Sequence, residues 1–154
     1  MVSLKSHIRK TRQVLGKLEE YYTEYTRSEM DPKNRKRSDA IVLSDIFVNY
    51  YTCLETLFHR ISQSFENELR PERWHQDLLE KMTIEIEGVR KAVISDATFA
   101  NLQELLKFRH FKRYYYELDY DWEKIEFLMK KFMRVTSVIH AELDAFSRFL
   151  DTLA

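Results

Sequence analysis

The sequence predicts an all-α protein, an antiparallel bundle of four long helices plus one short helix. Three observations carry this. Apolar residues recur three or four apart over long stretches, and no stretch shows the period of two that a half-buried strand needs. The chain holds only 2 Gly and 2 Pro in 154 residues, too few for the turns of a β-sandwich or barrel. Short polar loops separate the helical stretches, which makes most sequence neighbours antiparallel in space. The length suits one domain over residues 1–154 with a sizeable core.

The first helix is expected from Ser3 to Arg27, on the spacing of Leu4, Ile8, Val14, Leu15, Leu18, Tyr21, Tyr22 and Tyr25. It stops before Met30-Asp31-Pro32, where proline blocks propagation. The second begins at Ser38 or Asp39, both good N-cap types, and runs to about Asn67. Its stripe includes Ile46, Tyr50, Leu54, Leu57, Phe58 and Ile61, with Asp45 as the one polar interruption. Pro71 then punctuates the chain, and a short helix covers Trp74 to Glu85. The fourth opens at Ser95 or Asp96 and continues to about Tyr116. The fifth starts near Asp121 and runs almost to the C-terminus through Ile125, Leu128, Phe132, Val135, Ile139, Leu143, Phe146 and Leu150. Between the first two helices lies a basic loop, Lys33-Asn34-Arg35-Lys36-Arg37.

Composition excludes several classes. Lys+Arg and Asp+Glu number 25 each, so nucleic acid feels no global attraction and would need a local patch. Gly16 and Gly88 are isolated, so neither GxGxxG nor GxxxxGK[ST] is present. One cysteine rules out an internal disulfide framework and every Cys-based zinc knuckle. Cys53 lies in an apolar stretch without a basic neighbour in sequence, so burial is its expected role. The first twenty residues are amphipathic and charged, with no export signal, and no window approaches about eighteen uninterrupted apolar residues. A cytoplasmic protein without a membrane span is expected.

His7, His59, His75, His110 and His140 form no HExxH and no carboxylate-backed pair at ligand spacing, so no metal and no other cofactor is expected. The paired acids Glu85 with Glu87 and Asp119 with Asp121 lie near helix ends, where solvation and dipole matching account for them.

The segment Lys107 to Tyr116 differs. Lys107, Arg109, Lys112 and Arg113 surround His110, three tyrosines follow, and no acid intervenes. At roughly 100° per residue, Arg109, Lys112, Arg113 and Tyr116 share one face, and His110 and Tyr114 share the next. Clustered cations repel, so they generally answer to an anion. A phosphodiester is the simplest anion that calls for an arginine fork together with an acid/base group. A solvated face near a helix C-terminus gives the same composition for a structural reason, because the macrodipole favours Lys and Arg there.

This segment and four others together resemble the HepT-like family of the HEPN superfamily, the minimal ribonuclease toxins of bacterial toxin–antitoxin pairs. Asn49 to Phe58 is similar to the family's helix with an aromatic, then Glu, then Phe. Trp74 to Leu79 is similar to its WHxxLL element, and Arg90 to Ser95 to its RPxVIS turn. Phe108-Arg109-His110 and Leu118 to Glu123 resemble its FRH…ELDWE pattern. The ordered set covers residues 38–135. In the family's R-x4-6-H motif, extended as R-x4-H-x-Y, Arg109 matches the arginine and Tyr116 the terminal tyrosine. The histidine position is Tyr114.

The resemblance implies a metal-independent endoribonuclease in which Arg109 holds the scissile phosphate, Lys112 and Arg113 assist in binding RNA, and His110 or Tyr114 serves the proton transfers. It also implies a homodimer with the site near the two-fold axis, and a partner, a minimal nucleotidyltransferase antitoxin that adds AMP to the motif tyrosine, here Tyr116. The substitution at Tyr114 keeps an alternative open. A histidine with pKa near 6.5 serves as base and acid at neutral pH, whereas a phenol near 10 is a poor base. A catalytically inactive HEPN protein that binds nucleic acid or the nucleotidyltransferase fits the same residues.

Overall fold

A computed structural model describes residues 2–66, 74–114 and 120–153. The helices are α1 (Val2–Glu24), α2 (Arg37–Phe65), α3 (Trp74–Lys81), α4 (Asp96–Tyr114) and α5 (Trp122–Asp151), with a π-helical turn, Tyr25–Glu29, closing α1. The all-α bundle of four long helices and one short helix is the architecture the apolar periodicity predicts.

Side-chain pairs give the directions. Lys5 at the start of α1 pairs with Asp151 at the end of α5, and Glu19 further along α1 meets His140, so these helices are antiparallel. Glu19 also accepts from the Tyr50 hydroxyl at 2.6 Å while Tyr25 donates to Asp39 at 2.6 Å, which makes α1 and α2 antiparallel. Thr98 with Glu142 and Lys124 with Glu104 fix α4 against α5.

Helix α2 is the centre. It packs against α1, α3, α4 and α5. That position explains why it is apolar and long enough to cross a bilayer by composition alone, although its apolar side chains meet other helices. Phe47, Tyr50, Leu54, Leu57, Phe58 and Ile61 are buried on it. Phe132 of α5 is the hub of an aromatic cluster, with ring centroids 4.6 Å from Tyr22, 5.5 Å from Phe47 and 4.9 Å from Tyr50. Asp45, expected inside the stripe, is exposed. The buried acids of α2 are Asp39 and Glu55.

The caps of α4 and α5 follow the sequence. Ser95 Oγ accepts from Thr98 N at 3.2 Å and opens α4. Asp121 Oδ1 accepts from Glu123 N at 3.0 Å and opens α5. At α2 the expectation is corrected: Lys36, not Ser38 or Asp39, is the N-cap, the helix starts at Arg37, and Asp39 at the third helical position reaches back to Lys36 N at 2.8 Å. The expected ends at Asn67 and Tyr116 fall outside the described residues.

The short helix ends at Lys81, four residues before Glu85. The cause is Arg90, which is 2% exposed. Its guanidinium donates to Lys81 O and Ile84 O, both at 2.8 Å, and to Glu66 at the end of α2. Lys81 O also accepts from Ile84 N at 3.2 Å, a tight turn in place of a further α-helical bond. Ile86 and Arg90 then exchange backbone hydrogen bonds at 2.9 Å around Gly88, whose φ of 75° suits a residue without a β-carbon. Met82 O accepts from Val93 N and Ile94 N, which brings the chain back to the bundle ahead of α4.

Candidate functional site

The antiparallel pairing of α2 and α4 places Arg109 over one face of α2. Tyr51, Thr52 and Glu55 fall together there because residues four apart stack on a helix and Thr52 is three from Glu55. Arg109 Nη1 donates to Glu55 Oε1 and Nη2 to Glu55 Oε2, both at 2.9 Å, a bidentate fork. Nη1 also donates to Thr52 Oγ1 at 3.2 Å, and the guanidinium carbon lies 4.9 Å from the centre of the Tyr51 ring. Burial, and then the nearby Glu55 charge, push the Tyr51 phenol above its ordinary pKa, and Arg109 opposes them. That ring acts as a floor.

Helix α3 contributes His75. Its Nδ1 lies 2.8 Å from Glu55 Oε2 and 3.2 Å from Arg109 Nη2. A carboxylate oxygen only accepts, so the shorter contact assigns a proton to Nδ1 and makes the other ring nitrogen the basic one in the neutral ring. With that proton on Nδ1 the guanidinium contact is not itself a hydrogen bond, and Glu55 is what joins arginine and imidazole into one group from three helices.

The group opens to solvent. Glu55 is 8% exposed, Arg109 20% and His75 39%. Exposure rises outward from α2. A cleft of about 420 Å³ lies over it, lined by Leu106, Lys107, Arg109, His110 and Arg113 of α4 with His75 and Gln76 of α3. A larger cleft of about 580 Å³ on the other flank of α4 shares only Lys107 with it and is lined by Phe108, Phe111, Tyr120 and Ile125 among others. The larger cleft sets Asp121 beside Lys107 and Lys124, whereas the charged and titratable residues lining the smaller one are Lys107, Arg109, Arg113, His75 and His110, with no acid among them.

The structure distributes the sequence candidates unevenly. Arg109, His110 and Arg113 line the same cleft. Lys112 turns toward α2, its Nζ 4.0 Å from Asp45. Tyr114 is the last described residue of α4, and Tyr116 lies outside the described residues. Arg35 of the basic loop pairs with Glu126 and sits 4.4 Å from the Trp122 ring centre, so that loop fastens the start of α5. Glu55 and His75 are the residues that composition and spacing missed. An acid within the apolar run of a central helix was the available signal for Glu55. For His75 the available signal was the Trp74 to Leu79 segment that resembles the WHxxLL element, but no spacing rule links it to its partners, which it meets only through the fold. Among the described residues no three His, Cys, Asp or Glu side chains gather as a metal site would require.

A family model described as HepT-like protein matches residues 42–150, a span that contains α3, α4 and nearly all of α2 and α5. Searches of curated proteins and of solved structures find no match.

Proposed function

The chain belongs to the HepT-like protein family, and from that membership we propose that it is a metal-independent endoribonuclease, the toxin of a HEPN/nucleotidyltransferase toxin–antitoxin pair. The observation that supports this best is Arg109 at the wall of an open cleft whose other cations are Lys107 and Arg113. An RNA phosphate entering there meets guanidinium and ammonium donors, and imidazoles stand on two sides of the cleft, His75 and His110. The working unit in this reading is one helical domain over residues 1–154, paired as a cytoplasmic homodimer with the clefts of two copies near the axis.

Incubation of the purified protein with end-labelled RNA in EDTA tests the activity. Cleavage that persists in EDTA and is lost in Arg109→Ala is expected. That substitution also strands the Glu55 carboxylate, so the Arg109→Ala/Glu55→Gln double variant accompanies it, and it too must be inactive while folded. RNA left intact by the wild-type protein at high concentration overturns the reading.

Tyr114 supports a second reading, a non-catalytic HEPN protein that binds RNA or the nucleotidyltransferase. Under it the same RNA is bound and left whole. The partner enzyme of either reading modifies Tyr116, and the added AMP brings negative charge to the sequence segment that also contributes Arg109. Mass spectrometry after co-expression with a cognate nucleotidyltransferase checks the position. Adenylylation of a different tyrosine rejects it.

A further inference from the structure

Resting on the ribonuclease reading, we infer that His75, held by Glu55, is the catalytic base of this chain and does the proton work for which position 114 no longer offers an imidazole. The inference starts from placement. His75 is on α3, outside the arginine-to-tyrosine segment of α4, yet its ring reaches the guanidinium that the segment contributes. Glu55 is 8% exposed and holds both, with Oε2 serving the ring and one prong of the fork. A carboxylate that fixes an imidazole through Nδ1 keeps one tautomer and stabilises the imidazolium after proton uptake. His75 itself lines the cleft, so substrate can approach it.

The step balances without a cofactor. The ring takes the proton of a ribose 2′-hydroxyl. The freed oxygen bonds to phosphorus, the P–O5′ bond breaks, and the leaving oxygen takes a proton from water. The hydroxide so formed recovers the proton from the ring. The products are a 2′,3′-cyclic phosphate and a 5′-hydroxyl end. Glu55 is the positioning residue, and Arg109 supplies positive charge to the phosphorane.

Helix α3 packs on α2 and α4. Among the described residues, the charged and titratable groups facing His75 include Glu55 from α2 and Lys107, Arg109, His110 and Arg113 from α4.

The experiment compares wild-type, His75→Gln, His75→Ala and His75→Gln/Tyr114→His proteins on a labelled single-stranded RNA. RNA affinity is measured by fluorescence anisotropy and melting temperature is recorded alongside. The single variants are expected to cleave about 10²–10⁴-fold more slowly with binding little changed. The acid limb of the wild-type kcat/KM profile should flatten in His75→Gln. Added imidazole should restore part of the His75→Ala rate, and the double variant should regain cleavage through the restored motif residue. Wild-type cleavage that His75→Gln matches within about threefold overturns the role of His75 and leaves the ribonuclease reading standing. Wild-type protein that binds RNA without cutting it overturns both.

Discussion

Glu55 stabilises a guanidinium that water reaches only in part, and its removal should be felt twice. Glu55→Ala takes away the bidentate partner of Arg109 and the acceptor of His75. Breaking such a pair typically costs about 3–5 kcal/mol when both charges are buried. With Arg109 still 20% exposed, about 2–3 kcal/mol is expected by urea denaturation. The Glu55→Ala/Arg109→Ala pair should cost less than the sum of the singles, because the second change removes the stranded charge. Additive losses would show that the two groups do not stabilise one another. Much of this site escaped the sequence. Arg109, His110 and Arg113 were legible because they are close along one helix. Asp45 and Glu55 look alike as acids in an apolar run, and their roles are reversed by the faces they occupy: Asp45 is exposed, and Glu55 is inside. A shift of about 100° per residue separates such outcomes, and periodicity blurs it over a helix of 29 residues.

Helix ends were read well wherever a local cap decides them. Ser95 and Asp121 cap through their own side chains, a contact spanning two or three residues. The start of α2 is also local, although its cap is Lys36 rather than Ser38 or Asp39, and it carries a tertiary bond as well. Asp39 Oδ2 accepts from Lys36 N while Oδ1 accepts from Tyr25 at 2.6 Å. Asp39→Ala should therefore cost more than the ~1 kcal/mol typical of a lost cap, about 2–3 kcal/mol, whereas Tyr25→Phe should lose only the smaller tertiary share. Equal losses in the two variants, measured by thermal denaturation, would contradict the division. The end of α3 was misread for the opposite reason. Arg90 captures the carbonyls of Lys81 and Ile84 from several residues downstream and is anchored by Glu66 on another helix. No window around residue 82 contains that information. The π turn Tyr25–Glu29 is likewise set by closure, with Met30 N donating to Tyr25 O at 3.0 Å, five residues back.

Across the bundle, tyrosines make stability sensitive to alkali. Burial pushes the Tyr22 phenol up to about 12, and burial with a hydrogen bond to Asp39 does the same for Tyr25. Tyr50 is raised further, by burial and by its bond to Glu19. A phenol whose folded pKa exceeds its unfolded value near 10 contributes stability that is complete below about pH 10 and lost as pH climbs through the folded value. The unfolding free energy should fall between about pH 10 and 12, with phenolate absorbance appearing together with loss of helix. Phenolate formation well before unfolding would mean that these rings are open to solvent. The fork between Glu55 and Arg109 has its own consequence for the assembled protein. The guanidinium at the cleft wall is already balanced by a carboxylate that stays in place beneath it, so Arg109 carries few loosely held counterions for an arriving nucleic acid to displace. Only the remaining cations shed small ions on contact, and the dependence of affinity on salt concentration should be shallower than a count of the arginines and lysines around the opening predicts.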